Sequence, residues 1–197
     1  MFHPLSILVF VVAASIQGPF QVFWSNREMR QLSIDGQGLS SQVVECLQSS
    51  RQARVTFEAR ICRHEPAWFD SCLPSRSSVQ TIEFDAISES YRVVSDMQGD
   101  GLDAVAVGIP SQEEAIHAVL MVRSMSIDYL AQGDVTVAKE QGSYIQVRSR
   151  SSCRGSSSRF FAHISEILTL GLVDVVESTS DWYEFNLASD ILRSPGA

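Results

Sequence analysis

The segment Ala53–His64 constrains the chain more than any other: Val55, Phe57, Ala59 and Ile61 alternate with Thr56, Glu58, Arg60 and Cys62. A period of two over that length sends one row to a core and the other to solvent, the pattern of a half-buried strand. Such a strand needs partners, and the chain offers several. Ile82, Phe84 and Ala86 alternate, and Tyr91–Val94 follows after a short polar link, which predicts a hairpin. Arg30–Gly36, with Leu32 and Ile34, predicts a short strand, as do Gly142–Arg150, Val173–Val176 and Trp182–Leu187.

Other apolar residues recur at helical spacing. Leu39, Val43, Cys46 and Leu47 share one face of a helix, with Ser40 as its expected N-cap. Ser111-Gln112-Glu113-Glu114 places a hydroxyl three residues before a carboxylate, a capping box, and Ala115, Ile116, Val119, Leu120 and Val122 follow as its apolar stripe. Phe160, Phe161, Ile164, Ile167 and Leu168 form a third stripe, expected to end near Gly171. Glu65–Ser77, with Pro66 and Pro74, and the Ser-rich, Arg-bearing Ser149–Ser158 are expected loops. The resulting fold class is α+β: a mostly antiparallel β-sheet with two or three helices packed on it. It is expected as one domain over 30–187, with a flexible tail over 188–197.

No charged side chain precedes Arg27. Leu5–Ile16 is an apolar run too short for a membrane span, which needs about 20 residues, and within the roughly 7–15 of a signal peptide. Ala13 and Ser15 supply the small residues of a cleavage site after Ser15, with Gly18 a later alternative. Residues 1–18 are therefore expected to be a signal peptide, and the protein periplasmic or exported. Met1–Pro4 carries no Lys or Arg, and Arg27 and Arg30 lie on the far side of the run. That arrangement leaves two alternatives, a basic segment upstream or an uncleaved anchor reaching Trp24. An anchor would put the N-terminal segment in contact with membrane.

Fifteen basic residues against 23 acidic ones leave a formal charge of −8 on the 197 residues. Nucleic acid is excluded as a general partner, because counterion release needs dense Lys and Arg on one face. No GxSxG elbow, SxxK or HExxH is present, and the glycine spacing around Gly155 fits neither a P-loop nor a dinucleotide fingerprint.

Six motifs in order, LSSQVVECLQSS, ARVTFEARICR, EPAWFD, YRV, SQEEAIHAVLMV and SDWYEFNL, resemble an exported bacterial family known as domain of unknown function 4390. The resemblance covers roughly residues 30–187. It implies an exported bacterial protein of unassigned activity and brings no catalytic residue to any position of this sequence. The cysteines and the Ser149–Ser158 segment depart from the family pattern.

Four cysteines, Cys46, Cys62, Cys72 and Cys153, allow three complete pairings. Cys62 and Cys72 flank the Pro-containing loop and are the expected disulfide, with Cys46–Cys153 as a second pairing. Cys46 also fits its apolar stripe as a free thiol. Cys62, His64 and Cys72 could instead make a thiolate or metal site, although the set falls short of a zinc site's ligands. His117 and His163 lie on separate helices. Asp96, Gln98, Asp100 and Gly101 match part of a calcium loop, but its twelfth position is Val107, so a surface turn is expected. Arg148, Arg150, Arg154 and Arg159 around Gly155 could hold an anion, or else form a solvated loop. Glu58, Glu83 and Asp85 could pair across strands on the wet face of a sheet. No catalytic, cofactor-binding or metal residue and no cofactor is assigned. The expected role is a non-catalytic binding or accessory module for an envelope protein or component. The alternatives are an envelope enzyme using Cys62, His64 or Cys72, and a carrier of a small molecule or lipid.

Overall fold

In the computed structural model, the alternation at Ala53–His64 becomes the central strand of the molecule. The structure describes residues 18–26, 30–49, 51–66, 69–97, 104–132, 142–155, 176–187 and 192–193. In chain order these form β1 (Gln21–Asn26), β2 (Gln31–Asp35), α1 (Ser40–Gln48), β3 (Arg51–Arg63), β4 (Ser71–Cys72), β5 (Arg76–Asp85) and β6 (Ser90–Met97). They continue with β7 (Val105–Ile109), α2 (Gln112–Leu120), β8 (Met121–Ser126), α3 (Ile127–Leu130), β9 (Ser143–Gly155), β10 (Val176–Thr179), β11 (Tyr183–Asn186) and β12 (Leu192–Arg193). The fold is mostly antiparallel β-sheet with three helices, the α+β class expected from the pattern.

The larger sheet has the order β10-β9-β3-β5-β6-β7, with β11 also on β9 and β4 also on β3. β3 and β9 pair along their whole lengths, from Arg51 opposite Gly155 to Arg63 opposite Ser143. β5 and β6 form the expected hairpin, and its turn is held by Asp85 Oδ1 accepting from the Ile87 amide at 2.9 Å. The smaller sheet, β12-β1-β2-β8, is antiparallel except where β12 lies parallel to β1.

The core lies between the two sheets and the helices. Val55, Phe57, Ala59 and Ile61 of β3 are buried with Phe20 and Val22 beside β2's Leu32 and Ile34, α1's Val43 and Cys46, and α2's Ala115, Ile116, Val119 and Leu120. Phe20 meets the ring of Phe57 edge-on at 6.2 Å and that of Tyr183 at 5.4 Å. Burying one such ring is worth about 1.5–3 kcal/mol. Gly36 is required here, because a Cβ would stand 2.8 Å from Phe57 Cζ, and its amide donates to the Leu120 carbonyl at 2.9 Å.

α2 begins as its sequence predicts. Ser111 is the N-cap and accepts from the Glu114 amide at 3.4 Å, with Glu113 and Glu114 in the first turn complementing the helix dipole. The chain leaves α2 directly into β8, so Val122 is buried on a strand rather than on the helix.

Several expectations are corrected. Ser40 is the first helical residue rather than the cap, because a 3-10 turn over Gln37–Leu39 runs into α1 and Asp35 Oδ1 serves the Gln37 amide. The expected loop 65–77 contains β4 and the start of β5, which continue one another along β3. The Ser/Arg loop is strand as far as Gly155, because β3 on one side and β10 on the other supply its hydrogen bonds. β1 and β12 lie on either side of the 30–187 span. Trp24, where the alternative of an uncleaved anchor would end, sits in β1 opposite Leu32. The apolar run Leu5–Ile16, the Phe160–Leu168 stripe, Gly171 and Val173 fall outside the described residues. Among the described residues no helix is long and apolar enough to cross a membrane.

Candidate functional site

Four features carry chemistry, and the first is the outer face of β3 and β9. Alternation turns Glu58 and Arg60 of β3 and Gln146, Arg148 and Arg150 of β9 to the same side. The register then sets Glu58 opposite Arg148 and Arg60 opposite Gln146. Glu58 Oε2 accepts from Arg148 Nη2 at 2.6 Å and Nε at 2.9 Å, and Arg150 stands 3.6 Å from its other oxygen. Arg60 Nε donates to Gln146 Oε1 at 2.9 Å, and Gln146 Nε2 donates to Glu184 of β11, also at 2.9 Å. The indole of Trp182 lies against both guanidinium groups, 4.3 Å from Arg60 and 4.4 Å from Arg148. With Glu58 only 14 % exposed, its carboxylate is satisfied by two guanidinium groups under an aromatic cover, and Arg54 stands exposed farther along the same face. Arg148 and Arg150, considered in the sequence for an anion or a solvated loop, are instead both engaged by Glu58 of the neighbouring strand. Arg159 and the side chain of Arg154 lie outside the described residues.

The second feature surrounds the cysteines. Cys62 is bonded to Cys72, directly opposite it across β3 and β4 with Cα atoms 4.0 Å apart, and Cys46 of α1 is bonded to Cys153 of β9. None of the four cysteines is free. A thiolate nucleophile or metal ligand at Cys62 is overturned by that pairing, since the sulfur has no ionisable proton left. Among the described residues no group of His, Cys, Asp and Glu could hold a metal ion.

His64, two residues beyond Cys62, does find partners. Its Nδ1 lies 3.2 Å from Asp70 Oδ1, its ring stacks on Tyr144 at 4.4 Å, and the Tyr144 hydroxyl donates to Asp70 Oδ2 at 2.6 Å. The Tyr144 hydrogen bond holds the Asp70 carboxyl below its usual range, against partial desolvation and with help from His64. Burial, and then the Asp70 carboxylate, push the Tyr144 phenol above its ordinary value. The arrangement clasps the segment from β3 to β4 beside the disulfide.

The third feature is the far edge of the larger sheet. Val105 and Val107 of β7 are 61 % and 51 % exposed, and Phe84 near the end of β5 is 53 % exposed. The fourth is a cleft of about 100 Å³ lined by Gly18–Gln21, Asp35, Gln37 and Gly38.

The remaining expected residues stand apart. His117 is exposed on α2, while His163 lies outside the described residues, as do Gln98, Asp100 and Gly101. Asp96 is within β6, paired with Val79. Glu83 takes Arg92 at 3.6 Å and Gln52 at 3.1 Å, and Asp85 serves the turn, so no two of the three carboxylates pair with each other. Sequence reasoning missed Trp182, Tyr144 and Asp70 as partners in these clusters. Tyr144 was findable only through the register that sets it opposite Cys62.

The molecule is thus an α+β protein of two packed sheets, cross-linked twice, with Glu58 at the centre of its charged face held by Arg148 and Arg150. The model of the family described as domain of unknown function (DUF4390) matches residues 31–153, more than half of the chain. The chain belongs to that family. No curated protein and no solved structure matches it. The matched span runs from β2 to Cys153 in β9 and so includes all four cysteines.

Proposed function

We propose that this protein works in the bacterial envelope, outside the cytoplasm, as a binding module for an envelope protein or component. The pair of disulfides carries the reading, because disulfides persist in oxidising compartments and are rare where glutathione keeps thiols reduced. Cys46–Cys153 joins residues 107 apart in sequence, and Cys62–Cys72 joins residues 10 apart. The signal-like run Leu5–Ile16 supports the same compartment. Binding is favoured over catalysis because the carboxylates of the outer face are taken by Arg148, Arg150 and Gln146, while the exposed apolar strand residues Phe84, Val105 and Val107 lie toward one sheet edge, Phe69 and Ile87 being exposed outside the strands. A carrier role has no such support at the cleft beside Gly18–Gln21, whose volume of about 100 Å³ is below that of ligand pockets of roughly 300–1,000 Å³.

The test is intact mass after expression in a bacterial host and fractionation, with and without thiol alkylation. The expected species is exported, lacks residues 1–15 or 1–18, and takes up alkylating agent only after reduction. A full-length cytoplasmic species with four alkylated cysteines would overturn the reading and restore Cys62 as a candidate nucleophile.

A further inference from the structure

β7 ends the larger sheet, and no described strand pairs with its outer side. Edge strands of soluble proteins are normally blunted by a charge, a proline or a bulge. The residues of β7, Val105-Ala106-Val107-Gly108-Ile109, contain no charge and no proline, and their pairing with β6 runs without a register shift. Alternate residues therefore turn N–H and C=O groups outward that no described strand takes up.

The side chains make the same point. Across the sheet, Ile82, Val93 and Val107 stand in one row, and exposure climbs from 0 % to 5 % to 51 % toward the edge. The adjacent row runs Phe84, Tyr91 and Ile109, and Phe84 leans on Tyr91 at 5.1 Å. The apolar layer on which α2 rests thus continues outward past the helix and stops at β7. On the opposite face of β7, Ala106 and Gly108 are small, which leaves the backbone open to an approaching strand.

Charge decides what can approach. Exposed Glu113 and Glu114 open α2 just after β7, and Asp96 follows Ser95, the partner of Val105 at the other end of β7. The nearby cation, Arg92, stands 3.6 Å from Glu83. A second copy of this chain, with a net charge of −8, would bring acidic ends against acidic ends. Resting on the binding role above, we propose that β7 is the docking edge for an extended segment of a partner protein, apolar at alternate positions and carrying Lys or Arg at its flanks. Its backbone would add a strand beside β7, its apolar side chains would extend the Val107 and Ile109 rows, and its flanking cations would meet the acidic groups.

The experiment uses the purified, oxidised protein and two synthetic peptides, each a Val-Thr-Val-Thr-Val strand, one flanked by lysines and one by glutamates. The Lys-flanked peptide is expected to slow amide hydrogen exchange across Val105–Ile109. It is expected to bind about three- to tenfold more tightly than the Glu-flanked peptide, a gap that added salt narrows. Val107→Lys, which removes an apolar contact and adds a like charge, is expected to abolish binding while leaving the unfolding midpoint near that of the parent. If that variant unfolds early, Ala106→Lys on the other face of the strand repeats the charge test. Equal binding of the two peptides, or no protection of β7, overturns the docking edge, while the compartment reading stands or falls separately on the mass measurement. Concentration-dependent protection of β7 without peptide would assign the edge to a second copy and also overturn the proposal.

Discussion

β3 and β7 are both alternating strands of one sheet, and their fates differ. In β3 the row Val55, Phe57, Ala59 and Ile61 is at most 1 % exposed, and the outer row is tied into the Glu58–Arg148–Trp182 cluster. In β7 the equivalent row holds Val105 at 61 % and Val107 at 51 %, beside a backbone edge that no described strand pairs. Both disulfides attach to the β3–β9 half, and none reaches β5, β6 or β7. The cross-links are thus concentrated at the centre, and the exposed apolar residues of the strands, Phe84, Val105 and Val107, lie on the half that no disulfide reaches, while Phe69 is exposed within the loop that Cys62–Cys72 closes. Alternation makes a strand, but the layers above it decide whether its apolar row becomes core or contact surface.

The sharpest way to break this contrast is to cut the longer cross-link. Cys46→Ala with Cys153→Ala is expected to cost about 4–5 kcal/mol, from the entropy of a 107-residue separation in the unfolded chain, read from denaturant unfolding. A loss under about 1 kcal/mol would show that the centre is held by packing alone.

The next comparison exchanges side chains in the two strands. Phe57→Ala is expected to cost about 3–5 kcal/mol, whereas Val107→Ala is expected to stay within about 0.5 kcal/mol, measured by the same method. Similar losses at both sites would mean that β7 is covered in solution.

A smaller effect sharpens the picture at the end of β3. Asp70 has a lowered pKa in the folded chain, so its contribution to stability is complete above the ordinary value of 3.8 and disappears as pH falls through the folded value. Tyr144→Phe removes the largest cause of that lowering. The variant is expected to show Asp70 titrating nearer 3.8 and a flatter stability profile below about pH 4. Carboxyl NMR titration checks the first expectation and unfolding at stepped pH the second; an unmoved Asp70 would mean that Tyr144 does not hold it.

Much of the fold was legible because its signals are local. The β3 alternation, the β5–β6 hairpin and the Ser111 cap all appear where the residues put them. Ser149–Gly155 shows why other parts were not. Its inward positions Ser149, Ser151 and Cys153 are small or polar, so no apolar alternation marks a strand. α1 lies over that stretch, with Gln42 accepting from Ser151 Oγ at 2.7 Å and Cys46 bonded to Cys153, so small residues are what the space admits. β1 was hidden for another reason: its uncharged sequence, QVFWSN, continues the N-terminal apolar stretch and acquires strand character only beside β2.

The residues alone determined the α+β class and the capped helix, because periodicity and hydroxyl caps act over a few residues. Register, and with it the Glu58–Arg148 and Asp70–Tyr144 pairs, was decided by tertiary structure. So was the difference between the buried apolar row of β3 and the exposed one of β7. Those outcomes depend on which strands lie side by side and what packs above them, and neither is written in the spacing of any one segment.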